Sequence, residues 1–251
     1  MSNIFISVKK KIYDNQQSSN SVQALKDIEI KIKSKEFISI VGPSGCGKTT
    51  LMNIIGGLIE ADNQKILIND KMLNSNNCLG YIFQTSRLMP WLTVFENVKL
   101  VCRDNNDINN RVENILKDFG LKDFLNAYPN TISGGMRRRA SMARAFINKP
   151  EILLMDEPFV SLDQPAAEEL YKVLINYWEK NPTTIILITH SVKEALLLSN
   201  RILFMTKRPG SILMDYKVKS LESILKIDNK EIEKEYFNLL NKFPKLLEGV
   251  K

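Results

Sequence analysis

The chain has 251 residues, 44% of them apolar, and carries 35 Lys+Arg against 28 Asp+Glu for a net charge of +7. That length suits one compact domain, or a domain with a lobe, and the charge fits an anionic partner: nucleotide, nucleic acid or an acidic membrane face. A bilayer-spanning helix is excluded, because nowhere do about eighteen apolar residues run uninterrupted.

The start, "MSNIFISVKKKIYDNQQ", lacks the apolar stretch and cleavage signal of a secretory leader, so secretion is not expected. The cysteines Cys46, Cys78 and Cys102 are odd in number, far apart and without metal-ligand spacing. They argue against a disulfide framework and for reduced thiols in a cytosol. The first continuous apolar run, "FISIV", leads into "GPSGCGKTT". Gly42-Pro43-Ser44-Gly45-Cys46-Gly47-Lys48-Thr49 fits G-x-x-x-x-G-K-[ST], with Thr50 next and the helix-like "TTLMNIIGGL" behind it. Glycines let such a loop curl until its N–H groups converge on phosphate oxygens at a helix start. In this chemistry Lys48 neutralises the β- and γ-phosphates of ATP and the Thr49 hydroxyl ligates Mg²⁺. Cys46 is read as packing, not as a nucleophile.

Further on, "WLTVFENVKLV" and "NNRVENILKDFGLKDFLNAY" place apolar residues at helical spacing. A second apolar run, "EILLM", ends in "DEP": Asp156 can hold Mg²⁺, and Glu157 can orient and deprotonate an attacking water. A third, "TIILIT", ends in the only histidine, His190. Alone, that imidazole reads first as a strand cap bonded to a carbonyl. Continuous apolar strands, each followed by a helix-like stretch, are what a parallel sheet covered on both faces requires. Ligands collect at the carboxyl ends of such strands, so the three polar endings are expected along one edge. The tail, "LESILKIDNKEIEKEYFNLLNKFPKLLEGVK", reads as one or two amphipathic helices packed on the surface.

The stretch "TISGGMRRRASMARAFINKPEILLMDEP" resembles the signature region of ATP-binding-cassette (ABC) ATPases. The resemblance implies that Ser133, Gly134 and Gly135 open the positive end of a helix toward the γ-phosphate held by a second subunit, so that a homodimer sandwiches two MgATP. It implies that Gln84 is the Q-loop residue reaching Mg²⁺ and sensing a membrane partner. "SLD", Ser161 to Asp163, is similar to the D-loop, and His190 to the switch histidine beside the γ-phosphate. Tyr13 resembles the aromatic that stacks on adenine; ordinary strand packing is its alternative. Arg137 to Arg139 read as a solvated helix face with intersubunit contacts, not as a nucleic-acid patch, since no aromatic residues interleave with them. The chain departs from the family pattern at Met136, where glutamine is usual, at Lys35, where glycine is usual, and in the hairpin "DNQKILINDKML", which lacks the family glycines.

The fold that follows is α/β: a P-loop NTPase parallel-sheet core with an antiparallel β-subdomain and an inserted helical subdomain. Residues before the P-loop, with "KILIND", are expected in the antiparallel sheet. The expected layout is a single ABC ATPase domain, with core 1–83 and 148–220, helical lobe 84–147 and tail 221–251. "QTSRLMPWLTVFENV", "SGGM" and "MTKRPGSI" resemble importer ATPases of the nitrate/sulfonate/taurine type, a class that also serves pyrimidine-type vitamin precursors. That resemblance implies transmembrane permease subunits, an extracytoplasmic solute-binding protein, no nucleic acid, and a place on the cytoplasmic face of the membrane. A groove near Trp91 is expected to accept a permease helix; the alternative is that Trp91 and Leu92 fill the lobe's core. An exporter ATPase, or a cassette acting on nucleic acid or ribosomes, is the rival reading.

Overall fold

The computed structural model describes residues 3–14, 21–73, 78–104, 106–160, 162–218 and 229–250. They fall into two compact units, one within Met1–Ser75 and Thr184–Lys251, the other within Asn76–Thr183.

In the first unit, strands β1 (Ile4–Tyr13) and β2 (Val22–Ile32) pair antiparallel, with Ile4, Ile6, Val8, Ile28, Ile30 and Ile32 buried on alternating positions. Strand β4 (Asp62–Ile68) joins the other edge of β1 and carries the short β5 (Lys71–Met72), giving the order β2-β1-β4-β5. This is the expected antiparallel sheet. The hairpin closes without glycine because Asn69 (φ 53°) and Asp70 (φ 61°) take left-handed conformations that short polar side chains tolerate. Lys35 does likewise at φ 62°, its N–H donating to Thr184 Oγ1 at 2.9 Å.

Strand β3 (Phe37–Val41) is parallel to β8 (Thr184–Thr189) on one side and β9 (Arg201–Met205) on the other. β10 (Ile212–Lys217) lies antiparallel on β9. Every residue of β3 and β8 is buried, as strands covered on both faces must be. Helix α1 (Lys48–Ile55) follows the P-loop and α6 (Val192–Leu198) follows β8. The tail helix α7 (Asn229–Lys242) buries Ile232 and Leu239 in one apolar cluster with Val192, Leu196 and Phe204. Any helix within 219–228 lies outside the described residues.

The second unit holds the parallel pair β6 (Leu79–Ile82) and β7 (Ile152–Asp156) with four helices: α2 (Val94–Lys99), α3 (Ile108–Asp118), α4 (Gly134–Phe146) and α5 (Gln164–Lys180). Helix α2 begins at a capping box: Thr93 Oγ1 accepts from the Glu96 N–H (3.2 Å) and Glu96 accepts from the Thr93 N–H (2.8 Å). Helix α3 stops at Phe119 and left-handed Gly120, so "GLKDF" forms only a 3-10 turn rather than prolonging the helix. Phe119, Phe146 and Tyr177 meet as a triangle of rings with centroids 4.8–6.0 Å apart, and burial pushes the Tyr177 hydroxyl up to about 12.

Candidate functional site

The first unit builds an anion cradle at the carboxyl edge of its parallel strands. Val41 is the register partner of Thr189, so the P-loop from Gly42 and the turn at His190 leave neighbouring strands at one level. Gly47 caps α1 at φ 108°, and a Cβ there would stand 2.9 Å from the Ala24 carbonyl oxygen and 2.8 Å from Leu25 Cδ2. Only glycine fits that turn. Lys48 is buried, and its ammonium donates to the loop's own carbonyls, Gly42 O at 2.8 Å and Pro43 O at 3.0 Å. A cation held on the loop's rim and a helix N-terminus behind it are the elements of a phosphate site. Cys46 is buried, and burial pushes its thiol up against the pull of Lys48, as expected of a packing residue. Ser44 and Gly45 are exposed on the loop, and Thr49 and Thr50 open the helix.

Tyr13, at the end of β1, is 44% exposed with its hydroxyl 3.4 Å from Thr50 Oγ1 and the Lys11 ammonium 5.1 Å from its ring centre. His190 is exposed, and its neighbours are organised in a way that local sequence did not announce. Ser191 Oγ caps α6 by accepting from the Glu194 N–H at 3.2 Å. The buried Thr189 hydroxyl donates to Glu194 Oε2 (2.8 Å) and accepts from the Ser191 N–H (3.0 Å).

The second unit repeats the logic. Ile82 is the register partner of Met155, so Gln84 follows one strand where Asp156 and Glu157 end the other. Asp156 is buried, 8% exposed. Glu157 sits at φ 43°, a left-handed conformation that a glutamate adopts at a cost of about 1–3 kcal/mol and that clusters at functional sites. Gln84 is exposed, while its carbonyl accepts from Arg138 Nη2 at 2.5 Å.

That contact corrects the reading of the arginine triplet. Arg138 is buried, and its Nη1 donates to Phe83 O at 2.7 Å; Arg144, farther along α4, donates to Ser86 O (2.9 Å) and Arg87 O (2.7 Å). Arg137 donates to Ile132 O and Pro129 O, and Arg139 pairs with Glu169 at 2.7 Å. The triplet is thus not a solvated face. Helical spacing puts Arg138 on the same inner face as Ser141 and Met142, where its charge is satisfied by carbonyls.

Ser133 caps α4, accepting from the Met136 N–H at 3.2 Å, and Gly134 and Gly135 add no side chain of their own to the helix tip. Asp163 caps α5, accepting from the Ala166 N–H at 3.0 Å. Both caps line a cleft of about 550 Å³ together with Leu162, Arg139 and Glu169. Ser161 lies outside the described residues. Trp91 is 70% exposed, which removes the alternative that it fills the lobe's core. Its loop is held by the fully buried Asn97, a residue missed in the sequence. The Asn97 amide donates to Met89 O (3.1 Å), Leu92 O (3.0 Å) and Thr93 O (2.9 Å), and its oxygen accepts from the Met89 N–H (2.7 Å).

A glycine loop between a buried parallel strand and a helix, with a lysine at its rim, defines a P-loop nucleotide-binding protein. The family model described as "ABC transporter" matches residues 25–160. The taurine import ATP-binding protein TauB of Jannaschia sp. (strain CCS1) is 38% identical over 222 residues, covering 86% of this chain and 83% of that protein. The aliphatic sulfonates import ATP-binding protein SsuB of Bacillus cereus (strain ATCC 10987 / NRS 248) is 40% identical, covering 78% of this chain and 79% of that protein. Among solved structures, the dimeric ATP-binding cassette MJ0796 bound to ADP and Pi superposes with a TM-score of 0.74 at 30% identity, over 87% of this chain and 100% of that one. The chain belongs to the ABC transporter family and is one of its ATP-binding, ATP-hydrolysing subunits.

Proposed function

We propose that this chain powers an importer of the nitrate/sulfonate/taurine type, with vitamin precursors as the neighbouring solute class. The observation that carries the reading is the P-loop, a glycine turn with Lys48 resting on its own carbonyls at 2.8 and 3.0 Å, ready to exchange them for phosphate oxygens. Two relatives named for taurine and aliphatic sulfonate import support the direction of transport and the solute class. The proposed layout is one cassette: core 1–83 and 148–220, helical lobe 84–147 and tail 221–251.

In this reading residues 42–50 bind the phosphates and the exposed Tyr13 ring stacks on adenine. The donors suit a hard cation: the Asp156 carboxylate, the Thr49 hydroxyl and the Gln84 amide are oxygen ligands that would hold Mg²⁺, which neutralises phosphate charge. Glu157 takes the proton of the attacking water, and His190 steadies the γ-phosphate and that water. Ser133, Gly134 and Gly135 of a second copy complete each site, with Asp163 in the adjoining loop. The two glycines that open α4 in the cleft shared with Asp163 support this role. Two copies close on two ATP, and closure drives permease subunits whose helix docks beside Trp91. An extracytoplasmic solute-binding protein delivers the cargo, and the chain works at the cytoplasmic face of the membrane. Attachment is through the permease; among the described residues no helix is long and apolar enough to cross a membrane. Nucleic acid is not a partner.

Glu157→Gln tests the assignment. The variant is expected to accumulate as an ATP-bound dimer with little phosphate release, measured by size-exclusion chromatography and a phosphate assay. Release at the wild-type rate would refute Glu157 as the base, and an ATP-bound monomer would refute the shared site.

A further inference from the structure

Strand β9 ends at the same sheet edge as the P-loop, since Val41 is also the register partner of Phe204. The chain then turns back through residues 206–211, and this turn touches the P-loop at two successive peptide groups. Arg208, itself exposed, donates to the Gly45 carbonyl from Nε at 3.0 Å and from Nη2 at 2.8 Å. Gly210 lies so close to the Cys46 carbonyl that a Cβ at position 210 would overlap it. The turn is itself anchored. The Gly210 N–H donates to Ala24 O and its carbonyl accepts from the Lys26 N–H, both at 2.9 Å, while Thr206 Oγ1 accepts from the Ser211 N–H at 3.0 Å.

An anion cradle works only while its N–H groups face inward and its carbonyls face away. Gly45 stands at φ 72°, where the absence of a side chain eases rotation of the peptide it shares with Cys46, whose N–H makes a long 3.3 Å bond to Pro43 O. Two N–H groups of a guanidinium on one oxygen oppose that rotation and place a fixed positive charge behind the loop. The Arg-Pro-Gly of "MTKRPGSI" thus acquires a physical task that the function above leaves unused.

We propose that Arg208 is a positioning residue for nucleotide binding: it holds the Gly45 carbonyl outward, so that the P-loop amides stay turned toward a di- or triphosphate. The proposal rests on the reading of residues 42–50 as the ATP site. Its test is titration of the full-length chain with ADP and a slowly hydrolysed ATP analogue, together with steady-state ATPase kinetics, for Arg208→Ala, Arg208→Lys and, as reference, Lys48→Ala. Loss of a charge-assisted hydrogen bond corresponds to about a tenfold change in affinity. Arg208→Ala is therefore expected to weaken ADP and the ATP analogue alike by about tenfold. KM should rise by that factor while kcat falls less than about twofold, and the nucleotide-free melting temperature should stay within about 2 °C, as for a surface substitution. Arg208→Lys should recover part of the affinity, because one ammonium replaces the charge but not the fork. Affinity of Arg208→Ala within about twofold of wild type, with Lys48→Ala impaired, overturns the proposal alone. A fall in kcat at unchanged KM overturns it too. If Lys48→Ala also binds ADP as wild type does, the ATP-site reading fails with it.

Discussion

Replacing Arg138 by methionine removes the charge and both donors while keeping a stem of similar length. In the native chain Arg138 is 6% exposed and its guanidinium donates to Phe83 O at 2.7 Å and Gln84 O at 2.5 Å. Hydrogen bonds from a charged donor are worth about 1.5–3 kcal/mol each, so the gross loss is about 3–6 kcal/mol. Part of this is recovered. Burial disfavours the charged guanidinium, pushing its pKa down, and methionine has no charge to desolvate. Water can also reach the carbonyl of the exposed Gln84. A net destabilisation of about 2–4 kcal/mol remains, and at about 2–4 °C per kcal/mol for a chain of this size the melting temperature should fall by about 5–15 °C. Arg138→Lys should fall between, since a single ammonium cannot span both carbonyls. The assay is thermal unfolding of the full-length chain, with limited proteolysis between residues 84 and 90 as a local readout. A methionine variant that melts within about 2 °C of wild type and is cut no faster would show that the latch between α4 and the Gln84 segment carries no stability, and the reasoning would fail.

Gly47→Ala should abolish ATP binding measured by nucleotide titration, because its Cβ would stand within 2.9 Å of the Ala24 carbonyl at a φ of 108° that alanine resists. Asn97→Ala removes the side-chain partner of three carbonyls and one N–H of the Trp91 loop, of which Met89 O and Thr93 O keep a backbone donor, and should lower stability in denaturant unfolding by about 2–4 kcal/mol; an unchanged midpoint would refute that role. Burial raises the thiols of Cys46, Cys78 and Cys102 above their ordinary value of 9.0. Alkylation followed by mass spectrometry should therefore be slow at pH 8 and accelerate with pH, with buried Cys46 labelled last. The same sign makes these thiols neutral to stability below about pH 9 and destabilising above it, where the unfolded chain loses their protons first.

The chemistry carried by contiguous residues was legible before any fold was known. "GPSGCGKTT" between an apolar run and a helix states its own geometry, because glycine turns and helix starts are local. The runs "FISIV", "ILLM" and "TIILIT" announce strands buried on both faces, and registers such as Val41 with Thr189 bear that out. The capping box at Thr93 and Glu96 was equally present in "TVFE" and went unread. The arginine triplet was misread because charge density suggests solvent, whereas helical phase with Met142 assigns Arg138 to the inside.

By itself, then, the sequence determined the phosphate loop, the strands that end in Asp156 and His190, and the family, since each depends on neighbours a few residues apart. Only the tertiary structure decided which carbonyls Arg138, Asn97 and Arg208 would grip. Arg208 reaches Gly45 across 163 positions of chain and Arg138 reaches Phe83 across 55. A guanidinium or amide satisfies whichever backbone oxygen packing brings within about 3 Å, and no local pattern encodes that choice.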